Sequence, residues 1–304
     1  MIKMKKPIVG IASILFATTI WGSAFISQEL AMEHMGPFTF QTARCLMAVV
    51  ALLLAIIILD RFKKDGSSFW KRWADKKLWK AGIMCGIPLF LACNLQQIGL
   101  ANDTGSDKSG FLTAMYLVIV PIIGIFRGKK ATFMVPISVT LAVVGMYFLS
   151  CVGVTEINPG DLLTLGCAFA FAIQITIVDI YANDVDALRL NTIQVMICTV
   201  FSALVMVLTE TPTWTGISAC TFELFHVGVL SMGLGYFLQI VGQQHLDSTP
   251  ATLLMSFESV FAAIFTVIII GRTMTSWQIL GCSLIFAGII LSQIPIGNKK
   301  VHSA

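Results

Sequence analysis

Glu258 and Arg44 are ionisable residues inside long apolar stretches of the sequence. In a bilayer such a charge costs about 2.5–3.5 kcal/mol at mid-helix, so each side chain should face a cavity or a partner. Burial favours the protonated carboxyl group, which makes Glu258 a candidate for binding and releasing a proton. Arg44 carries a planar guanidinium that suits a carboxylate. Each residue could instead serve only as a structural partner of a neighbouring helix.

Side-chain amides and aromatic rings form a second set of candidates. Asn94 and Gln97 share a helix face, as do Gln239 and Gln243. Together these groups could line a cavity that suits a small amphipathic or zwitterionic solute. The alternative is hydrogen bonding between helices, worth about 0.6–2 kcal/mol per contact. The full set of predicted substrate-binding residues is Trp21, Arg44, Asn94, Gln97, Tyr116, Gln174, Tyr236, Gln239 and Gln243.

The elements that must position these residues are apolar stretches of membrane-spanning length. Of the 304 residues, 57% are apolar and only 12% are charged, about half the share in a soluble domain, which excludes soluble enzymes. A spanning helix needs about 20 apolar residues, whereas barrel strands alternate over about 10. We therefore predict an all-α integral membrane protein with ten spans. They run over residues 8–30, 38–59, 79–101, 109–126, 132–151, 160–181, 190–209, 223–245, 250–270 and 276–295.

Basic residues indicate how the chain crosses the membrane. With ten spans, 17 lysines and arginines fall on the side of the N-terminus and two, Lys108 and Arg272, fall on the other. Cytoplasmic loops carry the excess of basic residues, so we expect both termini in the cytoplasm and the chain in the plasma (inner) membrane. The net charge of +4 then reflects topology, and no nucleic-acid partner is expected.

The longest basic connection, residues 61–80, alternates lysines and arginines with aromatic residues. This composition is typical of a segment that lies on anionic lipid headgroups. A regulatory or partner-binding role is the alternative.

An internal repeat divides the sequence into residues 8–151 and 157–295. An offset of 150 matches Gly10 with Gly160 and Arg44 with Gln194, whereas 143 matches Gly99 with Gly242 and 142 matches Tyr116 with Glu258. Each repeat holds five spans, an odd number, so the second repeat enters the membrane from the opposite side. Two five-helix inverted repeats of this kind are a recurrent design of secondary transporters.

Four segments resemble the EamA domains of the drug/metabolite transporter superfamily. They are Trp21-Gly22-Ser23-Ala24-Phe25, QTARCLMAVV (41–50), SGFLTAMYLVIVPIIG (109–124) and TPATLLMSFESVFAAIF (249–265). Two positions depart from the family pattern, because Ser259 replaces the usual proline and Arg272 stands where an acidic residue is common. The resemblance implies ten helices, alternating access and transport of small metabolites, often outward.

The sequence therefore predicts a secondary active exporter of a small organic metabolite, such as an amino acid or a drug-like solute, with proton coupling through Glu258. An importer or a facilitative uniporter of the same fold is the alternative, and an intramembrane enzyme or a channel is a remote one. The eight cysteines contain no CxxC pair and the four histidines form no HExxH cluster. We expect no cofactor and no metal, and either a monomer or a homodimer.

Overall fold

The computed structural model describes residues 6–62, 68–129, 133–153, 157–271 and 273–293, and within these ranges the regular structure is helical, with no strand. Several basic residues used in the topology argument lie outside the described residues, as does the end of the predicted second repeat at 294–295. These basic residues are Lys3, Lys5, Lys63, Lys64, Lys130, Arg272, Lys299 and Lys300.

Within the described residues, the first half of the chain forms seven helices. They are α1 (Pro7–Ala31), α2 (Pro37–Phe62), α3 (Phe69–Trp73), α4 (Lys76–Ala101), α5 (Ser106–Thr113), α6 (Tyr116–Phe126) and α7 (Met134–Ser150).

The described part of the second half contains eight α-helices and one π-helical segment. They are α8 (Pro159–Tyr181), α9 (Ala187–Thr209), α10 (Trp214–Ala219), α11 (Thr221–Phe225), the π segment (His226–Gly235), α12 (Tyr236–His245), α13 (Ser248–Met255), α14 (Phe257–Ile270) and α15 (Ser276–Gln293).

Eight helical stretches of the described chain are long and apolar enough to cross a membrane, which makes this a multi-pass membrane protein. The stretches at Lys108–Phe126, Thr221–His245 and Ser248–Ile269 each combine consecutive helices. Two shorter apolar helices, Met134–Ser150 and Ser276–Leu291, occupy the remaining two predicted positions. They pack closely against each other because Gly145 and Gly281 bring the two backbones together.

Two of the predicted continuous spans are broken in the middle. α5 ends and α6 begins around Ala114 and Met115, and α13 gives way to α14 at Ser256. Pro121 lies inside α6 and not at the break. The chain turns because the Met115 amide bonds to the Leu112 carbonyl three residues back, which tightens the last turn of α5. Tyr116 and Glu258 thereby come to lie in the first turns of α6 and α14.

Glycines allow two pairs of helices to approach closely. A side chain on Gly10 of α1 would meet the Gly242 carbonyl oxygen at 3.1 Å, and one on Gly160 of α8 would meet the Gly99 carbonyl oxygen at 2.7 Å. These are the four glycines that the sequence offsets match in pairs. In each half, the glycine near the start of the first long helix therefore packs against a matched glycine in a helix of the other half.

The π segment directly follows α11 and leads into α12. Its backbone receives support from α9, because Asn191 Nδ2 donates to the carbonyl oxygens of Met232 (3.2 Å) and Gly233 (2.8 Å). A π-helix leaves carbonyl groups off the ordinary hydrogen-bonding pattern. The buried Asn191 satisfies two of them.

The helix bundle has two ends that we name for reference. At the N-terminal end, α1 begins beside the last turn of α12, where the Lys6 amide lies 3.4 Å from His245 Nδ1. At the far end, α1 finishes and α2 begins, and Gly216 of α10 lies against the His34 carbonyl. Of the basic segment 61–80, residues 63–67 lie outside the described residues, and the short helix α3 forms the described middle.

Candidate functional site

A cavity lies among helices from both halves of the chain. Its lining combines aromatic and thioether groups with several polar side chains. Such a mixture is typical of a small-molecule site, in which a few polar groups orient a ligand against apolar walls. The lining residues are Trp21, Ala24, Phe25, Gln28, Arg44, Cys93, Gln96, Thr113, Tyr116, Phe171, Gln174, Ile175, Ser231, Met232, Tyr236, Gln239, Met255 and Glu258.

Arg44 contributes a positive charge to the cavity wall. The side chain is 2% exposed, and neutral amide oxygens hold it. Its guanidinium donates to Gln28 Oε1 and to Gln41 Oε1, with Arg44 Nε 2.7 Å from the latter. Arg44 also lies over the Phe40 ring at 5.2 Å. Among the described residues no carboxylate forms an ion pair with Arg44, so the charge is positioned but not neutralised.

Glu258 contributes a carboxyl group to the same wall. It is 4% exposed, and the Tyr116 hydroxyl donates to its Oε1 at 3.0 Å. The two residues come from different halves and are the pair that the 142-residue offset matches. Each follows a helix break, so the breaks place the phenol and the carboxyl group face to face.

A chain of hydrogen-bonded amides runs through the second half and includes part of the cavity wall. Gln239 Nε2 donates to Gln174 Oε1 at 3.1 Å and to Gln243 Oε1 at 3.1 Å. Gln174 Nε2 then donates to Gln194 Oε1 at 3.1 Å, and Gln194 Nε2 donates to Asn191 Oδ1 at 2.8 Å. Because Asn191 in turn holds the π segment, the amides connect the cavity wall to the π-helical backbone.

Two buried polar atoms of the lining have no partner among the described residues. They are Trp21 Nε1, a donor, and Gln239 Oε1, an acceptor. The centroid of the Trp21 ring lies 5.2 Å from that of the Tyr236 ring, so two packed aromatic rings lie beside the unpaired indole N–H. Buried polar groups normally find a partner, and a bound solute with a donor and an acceptor would satisfy both atoms.

Seven of the ten residues that the sequence singles out line this cavity, and three do not. Asn94 turns toward α9 and donates to Ser202 Oγ at 2.9 Å, and Gln97 donates to the Gln28 carbonyl at 3.2 Å. Gln243 donates to the Ile175 carbonyl at 2.9 Å. All three amides join helices, as the alternative interpretation predicts. The seven that line the cavity are Trp21, Arg44, Tyr116, Gln174, Tyr236, Gln239 and Glu258.

Several polar residues that line the cavity were not among the residues predicted from the sequence. Cys93 and Gln96 face the cavity from α4, one position before each of the two amides chosen from that helix. They are also three residues apart, so the same spacing could have selected them. Gln96 Nε2 donates to Thr113 Oγ1 at 2.9 Å. Gln28, near the end of α1, carries no distinguishing pattern in the sequence.

Comparisons with known proteins agree with this architecture. The model of the EamA-like transporter family matches residues 8–151 and 158–293. An uncharacterized transporter of Archaeoglobus fulgidus is 30% identical over 91% of this chain and 83% of its own length. The uncharacterized transporter YoaV of Bacillus subtilis is 21% identical, with 98% of this chain and all of that protein covered.

A solved crystal structure of another protein shares the fold, with a TM-score of 0.75 at 14% identity over 93% of this chain and 96% of that one. The expected resemblance to EamA domains is confirmed by the family match across nearly the whole chain and by the relatives named as transporters. The chain therefore belongs to the EamA-like transporter family and is a membrane transporter, not an enzyme.

Proposed function

We propose that the protein is a secondary active exporter of a small zwitterionic metabolite, of the amino-acid class, and that Arg44 and Glu258 bind its two ends. The observation that carries this proposal is that one buried cation and one buried carboxyl group line the same cavity. Neither has an ion-pair partner among the described residues. A solute with a carboxylate and an ammonium group would match both.

The supporting architecture is ten spans in two five-helix inverted repeats, at residues 8–151 and 157–295. Matched glycines make matched contacts between the halves, and matched spans are broken at matched places, Ala114 and Ser256. Tyr116 and Glu258 are matched residues that touch each other. Equivalent residues related by a two-fold axis can meet only near that axis, which supports a site shared equally by the two halves.

Alternating access follows from this symmetry, because two near-equivalent halves can exchange conformations and expose one cavity to each side in turn. In the proposed cycle Glu258 also binds the coupling proton. The Tyr116 hydroxyl contacts it at 3.0 Å, the thiol of Cys167 lies nearby, and Arg44 lines the same cavity.

Counterflow in proteoliposomes tests the proposal. Vesicles preloaded with one amino acid should take up a labelled amino acid faster than empty vesicles, and uptake should saturate. The matched amino-acid amide lacks the carboxylate and the matched carboxylic acid lacks the ammonium, so neither should exchange. Glu258→Gln removes the group that is proposed to bind both the ammonium and the coupling proton, so it should lose counterflow as well as accumulation driven by a pH gradient. Uptake that rises linearly with concentration and shows no trans-stimulation would indicate a channel.

Direction and location belong to the same proposal. Both termini lie in the cytoplasm and the protein resides in the plasma membrane, with residues 61–80 against anionic lipid. An importer or a facilitative uniporter with the same cavity is the alternative. Intact cells that express the protein should lose preloaded amino acid faster than cells that express Glu258→Gln, whereas an importer would accelerate net uptake.

A further inference from the structure

Two carboxylates join α2 to α9 at opposite ends of the helix bundle. Asp60 lies in the last turn of α2, and Glu210 directly follows α9. The 150-residue offset that matches Arg44 with Gln194 also matches Asp60 with Glu210. The two contacts therefore occupy equivalent places, one at each end of a pair of packed helices that contain Arg44 and Gln194 between them.

At the far end, Glu210 caps the start of α2. Its Oε1 accepts from the Phe38 amide at 2.9 Å, and its Oε2 accepts from the Thr39 amide at 2.7 Å and from Thr39 Oγ1 at 2.6 Å. The negative charge is favourable at a helix N-terminus. Gly36 makes room for the carboxylate, because a Cβ at this position would lie 2.4 Å from Glu210 Cδ.

At the N-terminal end, Asp60 binds the start of α9. Its Oδ2 accepts from Arg189 Nη2, and its Oδ1 lies 2.8 Å from Arg72 Nη1. Arg189 is 1% exposed, and its guanidinium lies over the Trp73 ring at 5.5 Å. Arg189 is the offset match of Thr39. Each carboxylate thus binds the first turn of the partner helix, through backbone amides and a hydroxyl at one end and through a guanidinium at the other.

We propose that Asp60 and Glu210 are the gate residues of the transport cycle, Asp60 at the N-terminal end and Glu210 at the far end. Each contact ties the first half of the chain to the second, so the cavity can open toward one end only when the carboxylate at that end leaves the partner helix. The inference rests on the alternating access proposed above and assigns the groups that control it.

Labelling of Cys93 measures the opening of each gate, because this thiol lines the cavity. The other seven cysteines are replaced, and a membrane-impermeant maleimide is added to one side of oriented vesicles at a time. Glu210→Gln sets an amide nitrogen among three donors and should raise labelling from the far-end side. Asp60→Asn should raise it from the N-terminal side. The expected change is about fivefold or more on the stated side, the lower range of couplings between sites.

Matched controls remove the charge of a carboxylate whose contact does not join the halves. Glu29 Oε2 accepts from the Ser106 amide at 3.2 Å at the far end, and Asp75 Oδ1 accepts from the Lys77 amide at 2.8 Å at the N-terminal end. Glu29→Gln and Asp75→Asn should leave Cys93 labelling unchanged. Gly36→Ala displaces Glu210 while the acid itself remains, and it should reproduce the effect of Glu210→Gln.

The outcomes of this experiment test the gate assignment independently of the proposed solute. The gate assignment is overturned if both gate variants change labelling on the same side, if neither changes it, or if the control variants change it equally. Should a gate variant fail to fold, Gly36→Ala and Arg189→Gln test the two contacts in its place. Amino-acid counterflow is measured on the unsubstituted chain, and its absence would refute the proposed solute. Increased Cys93 labelling from the far-end side in one gate variant and from the N-terminal side in the other would still support the gates.

Discussion

Replacement of Arg44 by glutamine separates a binding role from a structural one, because the two roles predict opposite results. Glutamine is the residue at the matched position in the second half, Gln194. It is neutral, and its amide can still donate to the oxygen of Gln28 or Gln41. The substitution therefore removes the charge from the cavity wall and keeps a polar side chain there.

The effect on stability should be small. A mid-membrane arginine costs about 2.5–3.5 kcal/mol, and the three contacts of Arg44 with Gln28 and Gln41 offset about 2–5 kcal/mol at 0.6–1.7 kcal/mol each. These contributions nearly cancel. We expect the free energy of unfolding of Arg44→Gln to stay within about 1 kcal/mol of the unsubstituted protein, measured by denaturation in mixed micelles.

The effect on affinity should be large. Two charge-assisted hydrogen bonds to a carboxylate contribute about 1.5 kcal/mol each, and their loss of about 3 kcal/mol weakens binding about a hundredfold. The assay compares the thermal-shift affinity of an amino acid with that of its amide. Unsubstituted protein should prefer the acid, and Arg44→Gln should bind both equally. An unfolded variant, or one that still prefers the acid, would refute the reasoning.

Three further predictions concern the supports of the cavity. Asn191→Leu loses three hydrogen bonds at about 0.6 kcal/mol each, so the free energy of unfolding should fall by about 2 kcal/mol. An unchanged free energy of unfolding would mean that Asn191 does not stabilise the π segment. Gly242→Val drives a side chain into Ile14 at 2.5 Å and should cost about 1–3 kcal/mol in the same assay, whereas Gly166→Val, which has only Leu95 at 3.7 Å nearby, should be neutral. Trp21→Phe removes the unpaired donor and should weaken amino-acid affinity about fivefold without lowering the melting temperature; equal affinity would show that the solute does not use the indole N–H.

Much of the fold follows from the sequence because long apolar runs have few alternatives in a bilayer. The eight spanning stretches begin and end within three residues of the predicted ranges. The breaks at Ala114 and Ser256 could not be predicted, since both lie in continuously apolar runs and neither coincides with Pro121. A local tightening of the backbone leaves no mark in composition. The π segment escaped prediction for the same reason.

Residues of the candidate site were predictable where an ionisable group is costly in lipid, and were not predictable where a side chain is polar but uncharged. Arg44 and Glu258 had to face a cavity or a partner, and the structure places both on the cavity wall. On α4 the sequence pattern indicated Asn94 and Gln97, whereas Cys93 and Gln96 face the cavity. The two pairs differ by one residue, about 100° around the helix, and only the packing of α4 against α8 and α9 fixes that rotation.

The charges in the cavity occur only once although the sequence is duplicated. Arg44 is matched by Gln194 and Glu258 by Tyr116, so neither ionisable group has a twin across the proposed axis. Two identical halves would offer a bound molecule two equivalent poses, related by a half-turn. This chain offers one, with a positive pole and a negative pole. In the proposed binding mode the cavity would therefore orient a solute by its charges, and it would favour one molecule over an isomer whose ends are exchanged.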